Sequence, residues 1–358
     1  MMDKKVLNFF PGGNTGAGFY SFYDYLPYRA EDIFIIKGGP GTGKSTFMKR
    51  IGERALKEGF RIEKHWCSSD NNSLDGVVIP DLKTAIFDGT APHMTDPRYP
   101  GAVEEIINLG QYWDTSYLRS HRDEIRKITT AISRNFENTY FYLRLAAETE
   151  KSIEKFYLEG FKSENAEKLI ENIREDITPA TCQKNGGVRH LFGSAITPEG
   201  KVNYYQNITA EMKKRYLLQG KSRTVKSKIL KRIADISLAK GHDILFLHYA
   251  LNPSLLAGII ISSMKIALLS DALGLLSSKK STDILINTSD CLRPAIVNNN
   301  SREIETQKDL FRDLFDKAQQ NLKKAKENHD WLEEFYVVAM DFEGVGKLRE
   351  KYEKNLFA

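Results

Sequence analysis

The sequence predicts an α/β protein of two tandem three-layer units, each with a mainly parallel sheet and each followed by a helical hairpin. Two observations predict this class. Short apolar runs alternate with helix-like segments, the pattern of strands joined by helical crossovers. The second half of the chain also repeats the first half at a nearly constant offset, which indicates internal duplication.

The duplication is clearest where residues 18–88 align without a gap with residues 200–270. About a quarter of these positions are identical, several times the chance level. Identical pairs include Gly18 with Gly200, Tyr23 with Tyr205, Lys44 with Lys226, Gly59 with Gly241, Gly76 with Gly258 and Ala85 with Ala267. A sparser match in the tails aligns Glu154 and Tyr157 with Glu333 and Tyr336.

The predicted domains are residues 1–180 and 181–358, joined at TPATCQKNGG, which has the proline and glycines of a linker. The charged segments 115–175 and 301–355 carry apolar residues at spacings of three and four, which predicts helices. We expect each segment to form a hairpin or cap on the sheet of its own unit. The alternative is a lid or a partner-binding arm.

Composition excludes several classes of protein. The net charge of +5 permits anionic partners without requiring them. Three dispersed cysteines, Cys67, Cys182 and Cys291, favour free thiols in a reducing cytoplasm over a disulfide framework or a zinc site. The apolar stretch 255–276 contains Lys265 and Asp271, so buried strands are favoured over a membrane span and no membrane association is expected.

One motif carries specific chemistry. Residues 38–45, GGPGTGKS, fit G-x-x-x-x-G-K-[ST] between an apolar strand and a helix, and therefore predict a phosphate-binding P-loop. Glycines let the backbone turn so that successive N–H groups face an anion, and the helix N-terminus adds its positive dipole. The predicted nucleotide-binding residues are Gly38, Gly39, Pro40, Gly41, Thr42, Gly43, Lys44, Ser45 and Thr46.

The expected ligand is Mg²⁺ with ATP or GTP. Lys44 should reach the β- and γ-phosphates, and Ser45 and Asp88 should hold the metal, because Asp88 ends an apolar strand. Asp70 and Asp75 are alternative metal carboxylates. Gly89 stands where many ATPases have a glutamate base, so His93 is a catalytic candidate in the following loop. Weaker candidates for charge stabilisation or base catalysis are Arg98, Glu104 and Glu105.

The second unit carries an altered copy of this loop, GKSRTVKS, at residues 220–227. Val225 replaces the glycine before the lysine, and a β-branched residue resists the positive φ that this position requires. Ser270 aligns with Asp88, so we expect no hydrolysis here, while weak anion binding stays open. Basic residues crowd positions 213–232, which makes nucleic acid a possible but unfavoured partner.

The whole chain resembles an uncharacterised bacterial family of tandem P-loop proteins found mainly in spore-forming Gram-positive lineages. The resemblance lies in FPGGNT, GFYSFYDYL, GGPGTGKST, CSSDNNSLDGVVIP, DGTAPHMTDPRYPGAVEEIINLGQYWD and HLFGSAITPEG. It implies an ATPase or another nucleotide-binding protein, and leaves the substrate open. The loop GKSRTVKS departs from the pattern of an intact second P-loop, which weakens any model with two active sites.

Taken together, we expect the first unit to bind and hydrolyse a nucleoside triphosphate and the second to be structural or regulatory. A small-molecule or nucleotide kinase is one alternative. A nucleotide-gated interaction protein is another, which would bind a protein partner or self-associate through its helical segments.

Overall fold

The computed structural model describes residues 5–91, 94–177, 186–270 and 281–358. The first unit contains β1 (Val6–Phe9), β2 (Gly12–Thr15), β3 (Gly18–Ser21), β4 (Asp32–Lys37), α1 (Lys44–Lys57), β5 (Ile62–Trp66), β6 (Leu74–Ile79), β7 (Thr84–Asp88) and β8 (Glu104–Asn108). Helices α2 (Thr115–Ser120), α3 (Arg122–Glu159) and α4 (Ser163–Ile177) follow.

The second unit repeats this order. It contains β9 (Val188–Phe192), β10 (Ser194–Thr197), β11 (Gly200–Asn203), α5 (Tyr205–Ile208), β12 (Lys214–Gln219), α6 (Arg223–Ala239), β13 (Ile244–His248), β14 (Leu256–Ile261), β15 (Ile266–Ser270) and β16 (Asp283–Asn287). Helices α7 (Pro294–Asn299), α8 (Ser301–Ala339) and α9 (Phe342–Leu356) follow. The predicted linker falls largely outside the described residues.

Each unit has one six-stranded sheet, and the two sheets have equivalent strand orders. These orders are β1-β5-β6-β7-β4-β8 and β9-β13-β14-β15-β12-β16. The two-unit α/β arrangement is therefore confirmed. The sheets are mixed, because β6 and β14 run antiparallel to both of their neighbours while the other neighbouring pairs are parallel.

The copies agree even in local irregularities. A register shift lies between His65 and Trp66 and again between the aligned residues Leu247 and His248. Lys83 and Lys265, also aligned, both have positive φ, at 50° and 54°. Such conformations are uncommon in residues other than glycine, so their recurrence supports duplication independently of sequence identity.

Helices α1 and α9 cover one face of the first sheet, and α6 and α4 cover one face of the second. The opposite face is covered, within the described residues, by hairpins, short helical turns and aromatic side chains. On the first sheet, Tyr23 and Leu26 pack against Ile35 and Phe87. On the second, Tyr205 packs among sheet residues together with aromatic residues from both units. Among the described residues, the helices of the predicted three-layer units thus lie mainly on one face of each sheet.

The units meet about a local pseudo-twofold axis. Phe10 and Phe192, which align with each other, exchange two backbone hydrogen bonds of 3.0 Å. Thr139 of α3 donates to the carbonyl of Ala318 of α8 at 3.4 Å, and these residues align as well. A contact between equivalent residues marks an isologous interface, so the chain is folded like a homodimer fused into one polypeptide.

A buried ion pair helps to fix this interface. Both terminal guanidinium nitrogens of Arg189 donate to the carboxylate of Glu63, at 2.7 and 3.0 Å. Although burial opposes ionisation, Arg189 holds the pKa of Glu63 well below its usual range. The pair is nearly inaccessible on both sides, so loss of either partner would leave an uncompensated charge inside the interface.

The helical segments are exchanged between the units. We call α2–α4 the first arm and α7–α9 the second arm. Ile170 and Ile173 of the first arm pack on Ile229 of α6, in the second unit. Met340, just before α9, and Val345, within α9, pack on α1 in the first unit. The expectation that each arm covers its own sheet is therefore wrong.

The stretch 255–276 contains β14 and β15, and its last residues lie outside the described residues. Residues Leu256–Ile261 are buried throughout, so this apolar run belongs to the sheet, as expected. Among the described residues, no helix combines the length and the apolar character needed to cross a membrane.

We predict acid sensitivity at the interface between the units. The ring centroids of His248 and Phe22 are 4.4 Å apart. Burial lowers the pKa of His248 from 6.5 to about 4. A depressed histidine pKa means that the folded state holds the neutral ring. The contribution of the neutral His248 ring to stability is complete above about pH 6.5. As the pH falls towards 4, this contribution is lost and the free energy of unfolding decreases by roughly 3 kcal/mol.

Urea unfolding of the wild type and of His248→Gln between pH 4 and pH 7 tests this. The difference between their free energies of unfolding should change across that window, whereas His121→Gln, on the first arm, should follow the wild type. A constant difference between the wild type and His248→Gln would contradict the prediction.

Candidate functional site

The glycine-rich loop 38–45 joins the carboxyl end of β4 to α1. Gly41 and Gly43 have φ of 67° and 88°, a conformation that side chains rarely tolerate. Gly43 is the N-cap, so α1 begins at Lys44. The Thr42 hydroxyl donates to the Gly39 carbonyl at 2.8 Å and stiffens the turn. The loop thus presents backbone N–H groups and a helix N-terminus, which together suit an anion.

Three predicted side chains converge here. The Lys44 ammonium lies 3.5 Å from the Asp88 carboxylate and donates to the carbonyls of Gly38 and Gly39. Asp88 is brought alongside because β7 pairs in parallel with β4, with Asp88 opposite Ile36. The Ser45 hydroxyl accepts from the N–H of Leu74 at 3.0 Å. A hydroxyl and a carboxylate beside an anion loop are the ligand types that Mg²⁺ accepts with phosphate.

Asp75 is a second carboxylate of this region. It is buried in β6, and the Tyr23 hydroxyl donates to it at 2.5 Å. Burial, with a smaller contribution from the charge of Asp88, raises the pKa of Asp75 to about 7. Asp75 aligns with Ala257, just as Asp88 aligns with Ser270, so the second unit lacks both acids.

Other candidates fall elsewhere. His93 lies outside the described residues. Arg98 pairs at the surface with Asp24 at 3.3 Å. Glu104 and Glu105 are wrong as bases, because they pair with the beginning of β4, at the opposite end of the strand from the loop. Asp70 lies 3.4 Å from Lys326 of the second arm.

The second arm contributes residues that sequence analysis did not assign to the site. The N–H of Gly41 donates to the carboxylate of Glu333 at 3.2 Å. A Cβ added to Gly39 would lie 2.6 Å from the ring of Tyr336, so α8 rests directly on the loop. His329 lies one turn away, with its Nδ1 3.6 Å from Glu333. In the sequence, the pattern that singled out Glu333 was its alignment with Glu154 in the repeat.

The altered loop has a different backbone. Helix α6 begins at Arg223, three positions before Lys226, which aligns with the first residue of α1. Positions 223 and 225 are not glycines, and α6 therefore begins earlier in the sequence, within the residues that form the open turn in the first unit. Ser222 is its N-cap and accepts from the N–H of Val225 at 3.1 Å.

A carboxylate of the first arm caps this longer helix. Glu154 accepts from the hydroxyl of Ser222 at 2.6 Å and from the N–H groups of Arg223 and Thr224 at 2.8 and 3.2 Å. Glu154 is only 7% exposed. The altered loop therefore holds an anion supplied by its own chain, and its N-terminal donors are already engaged.

The basic residues of this region do not form one surface. Arg215 is fully buried and pairs with Asp283 at 2.5 Å. Arg223 pairs with Glu150 at 2.9 Å, and Lys226 is buried and donates to the Gly220 carbonyl. Several basic side chains that phosphate contacts would need are thus engaged in contacts within the protein. These contacts give no support to nucleic-acid binding.

Comparisons of the chain with protein-family models, with curated proteins and with solved structures find no match. The chemical interpretation of the loop therefore rests on its own geometry and on the contrast between the two copies. The resemblance to the tandem P-loop family stays a prediction.

We predict that the two arm glutamates differ in their contribution to stability. Glu154→Ala should lower the free energy of unfolding by about 2–3 kcal/mol, because it leaves buried donors without an acceptor. The matched variant, Glu333→Ala, should cost less than about 1 kcal/mol, because it removes one long hydrogen bond to a half-exposed carboxylate. Urea denaturation of both variants measures the difference, and equal losses would contradict it.

Proposed function

We propose that this chain binds and slowly hydrolyses a nucleoside triphosphate with Mg²⁺ at loop 38–45, and that the second unit hydrolyses none at its own loop but covers the first loop with its arm. The observation that carries the proposal is the convergence of Lys44, Ser45 and Asp88 around a loop with an outward N–H group. That N–H, of Gly41, is already aimed at a carboxylate oxygen, so the loop fits an anion. ATP or GTP would suit it equally.

In this proposal Lys44 leaves the carbonyls of Gly38 and Gly39 and contacts the β- and γ-phosphates. Ser45 and Asp88 would hold Mg²⁺, which neutralises charge that develops on the phosphate oxygens. The backbone N–H groups of the loop stabilise the same charge. Because these donors are preorganised, they need little rearrangement during the reaction.

The same proposal assigns the general base to Glu333. A bound triphosphate needs the N–H of Gly41, so it displaces the Glu333 carboxylate from that donor. Glu333 remains on α8 beside the loop, at the phosphate end of the site, where a carboxylate can orient and deprotonate water. This explains why the first unit can have Gly89 after Asp88 and still act as a hydrolase.

A second candidate function follows from the same contact. Glu333 and Tyr336 lie against the loop, and in this second function nucleotide binding shifts α8, which packs along α3 of the other arm. A nucleotide-gated interaction protein would use this shift to expose a surface for a partner. Negligible turnover, together with nucleotide-dependent hydrogen exchange along α8, would favour this function over hydrolysis.

The first test compares equivalent lysines. Lys44→Ala should lower triphosphate affinity and reduce turnover by at least about a hundredfold, because it removes the charge that contacts the transferred phosphoryl group. The matched variant Lys226→Ala should keep turnover within about threefold of the wild type, because the altered loop takes no part in the reaction. Phosphate release and calorimetric titration measure both. Full activity in Lys44→Ala, or equal loss in both variants, would overturn the proposal.

A further test separates the two roles of Glu333. Glu333→Gln should lower kcat by about a hundredfold or more and also tighten nucleotide binding, because the base and the competing negative charge are lost together. Glu334→Gln, on the exposed side of α8, is the control and should leave both values unchanged. Tighter binding with unchanged kcat would show that Glu333 only competes with phosphate and that the base lies elsewhere.

A further inference from the structure

A cavity of about 300 Å³ lies between α1 of the first unit and α9 of the second arm. This volume is at the lower end of the range for small-molecule sites. Its walls include Gly43, Thr46 and Arg50 on one side and Phe342, Gly346 and Arg349 on the other. The cavity is thus built jointly by both units.

The cavity lies next to the glycine-rich loop and shares residues with it. Gly43 and Thr46 belong both to the cavity wall and to the stretch that turns into α1. Lys44 is expected at the β- and γ-phosphates, and Thr46 at the α-phosphate. A nucleotide whose phosphates follow the loop would therefore direct its sugar and base past Thr46, which lines the cavity.

Phe342 forms an aromatic wall of the cavity. Its Cε1 lies 3.4 Å from the point that a Cβ of Gly43 would occupy, and its side chain is 44% exposed. The preceding residue, Asp341, accepts from the N–H of Gly344 at 2.9 Å and donates its own N–H to Tyr112 at 2.8 Å. The start of α9 is thereby anchored, and the ring offers a flat surface on which a base can stack.

Gly346 keeps the cavity open. A Cβ added there would meet no atom within 4 Å, although the residue lies inside α9. Glycine inside a helix is unfavourable relative to alanine, and no close packing contact requires it here. The missing side chain leaves space beside Phe342 and Arg349 that a longer residue would fill.

The other arm provides an internal comparison. Helix α4 begins at Ser163 and aligns with α9, which begins at Phe342. In α4, serine replaces the aromatic residue, Glu167 replaces Gly346 and Ile170 replaces Arg349. The arm that covers the altered loop thus lacks each of these features, and only the arm at the intact loop has them.

We infer that the cavity between α1 and α9 binds the base and sugar of the nucleotide, with the Phe342 ring stacked on the base. The inference rests on the proposed function of loop 38–45 and deepens it. It means that the site is incomplete in the first unit alone. The second unit retains a binding role even though its own loop is closed.

Calorimetric titration of the full chain with Mg-ADP, Mg-GDP and Mg-pyrophosphate tests the inference, because pyrophosphate reports on the loop alone. At least one nucleoside diphosphate should bind about tenfold tighter than pyrophosphate. Phe342→Ala should weaken nucleoside diphosphate binding about tenfold and leave pyrophosphate unchanged, whereas Phe342→Tyr should retain wild-type affinity.

Gly346→Leu should have the same effect as Phe342→Ala, by filling the cavity. Glu167→Leu, at the aligned position of α4, is the matched control and should change neither ligand. If pyrophosphate binds but nucleoside diphosphates bind no tighter and the variants have no effect, the inference is wrong and the proposed function stands. If the wild type binds neither class of ligand, the proposed function itself fails.

Discussion

The exchange of helical arms is the constraint on which the rest of this structure depends. Helix α1 packs on its own sheet and also on Val345 and its neighbours from the other half of the chain, and α6 packs in the same way on its own sheet and on residues such as Ile170. Each fully buried side chain of this kind contributes roughly 1.5–3 kcal/mol. Each loop helix therefore packs on the sheet of its own unit on one side and on the arm of the other unit on the other side.

This exchange also places a carboxylate over each loop, and the loops respond differently. Where Gly41 and Gly43 adopt positive φ, the chain stays turned and Glu333 makes one long contact with it. Where Arg223 and Val225 stand instead, the helix lengthens and Glu154 becomes an integral cap. The loss of two glycines, together with the cap residue Ser222, thus accompanies the change from one long contact with Glu333 to three hydrogen bonds with Glu154.

Much of each unit could be predicted from sequence because its signals are local. Apolar runs predict the strands, and GGPGTGKS predicts the turn between β4 and α1. The exchange of arms could not be predicted, because the apolar spacing around Ile170 is the same whichever sheet it covers. For the same reason Glu333 looked like an ordinary helix-surface acid. Only its alignment with Glu154 carried a signal, and that signal did not reveal the loop of the opposite unit as the contact.

Fusion into one chain makes unequal copies possible. In a homodimer, any change that closes one loop closes both, because the subunits are identical. Here the second loop is closed by Glu154 while the second arm still presents Glu333 and Phe342 to the first loop. Loss of the glycines in residues 220–227 therefore does not make the second unit dispensable. It separates the two roles that a symmetric subunit would combine, so that one half provides the loop and the other half provides what covers it.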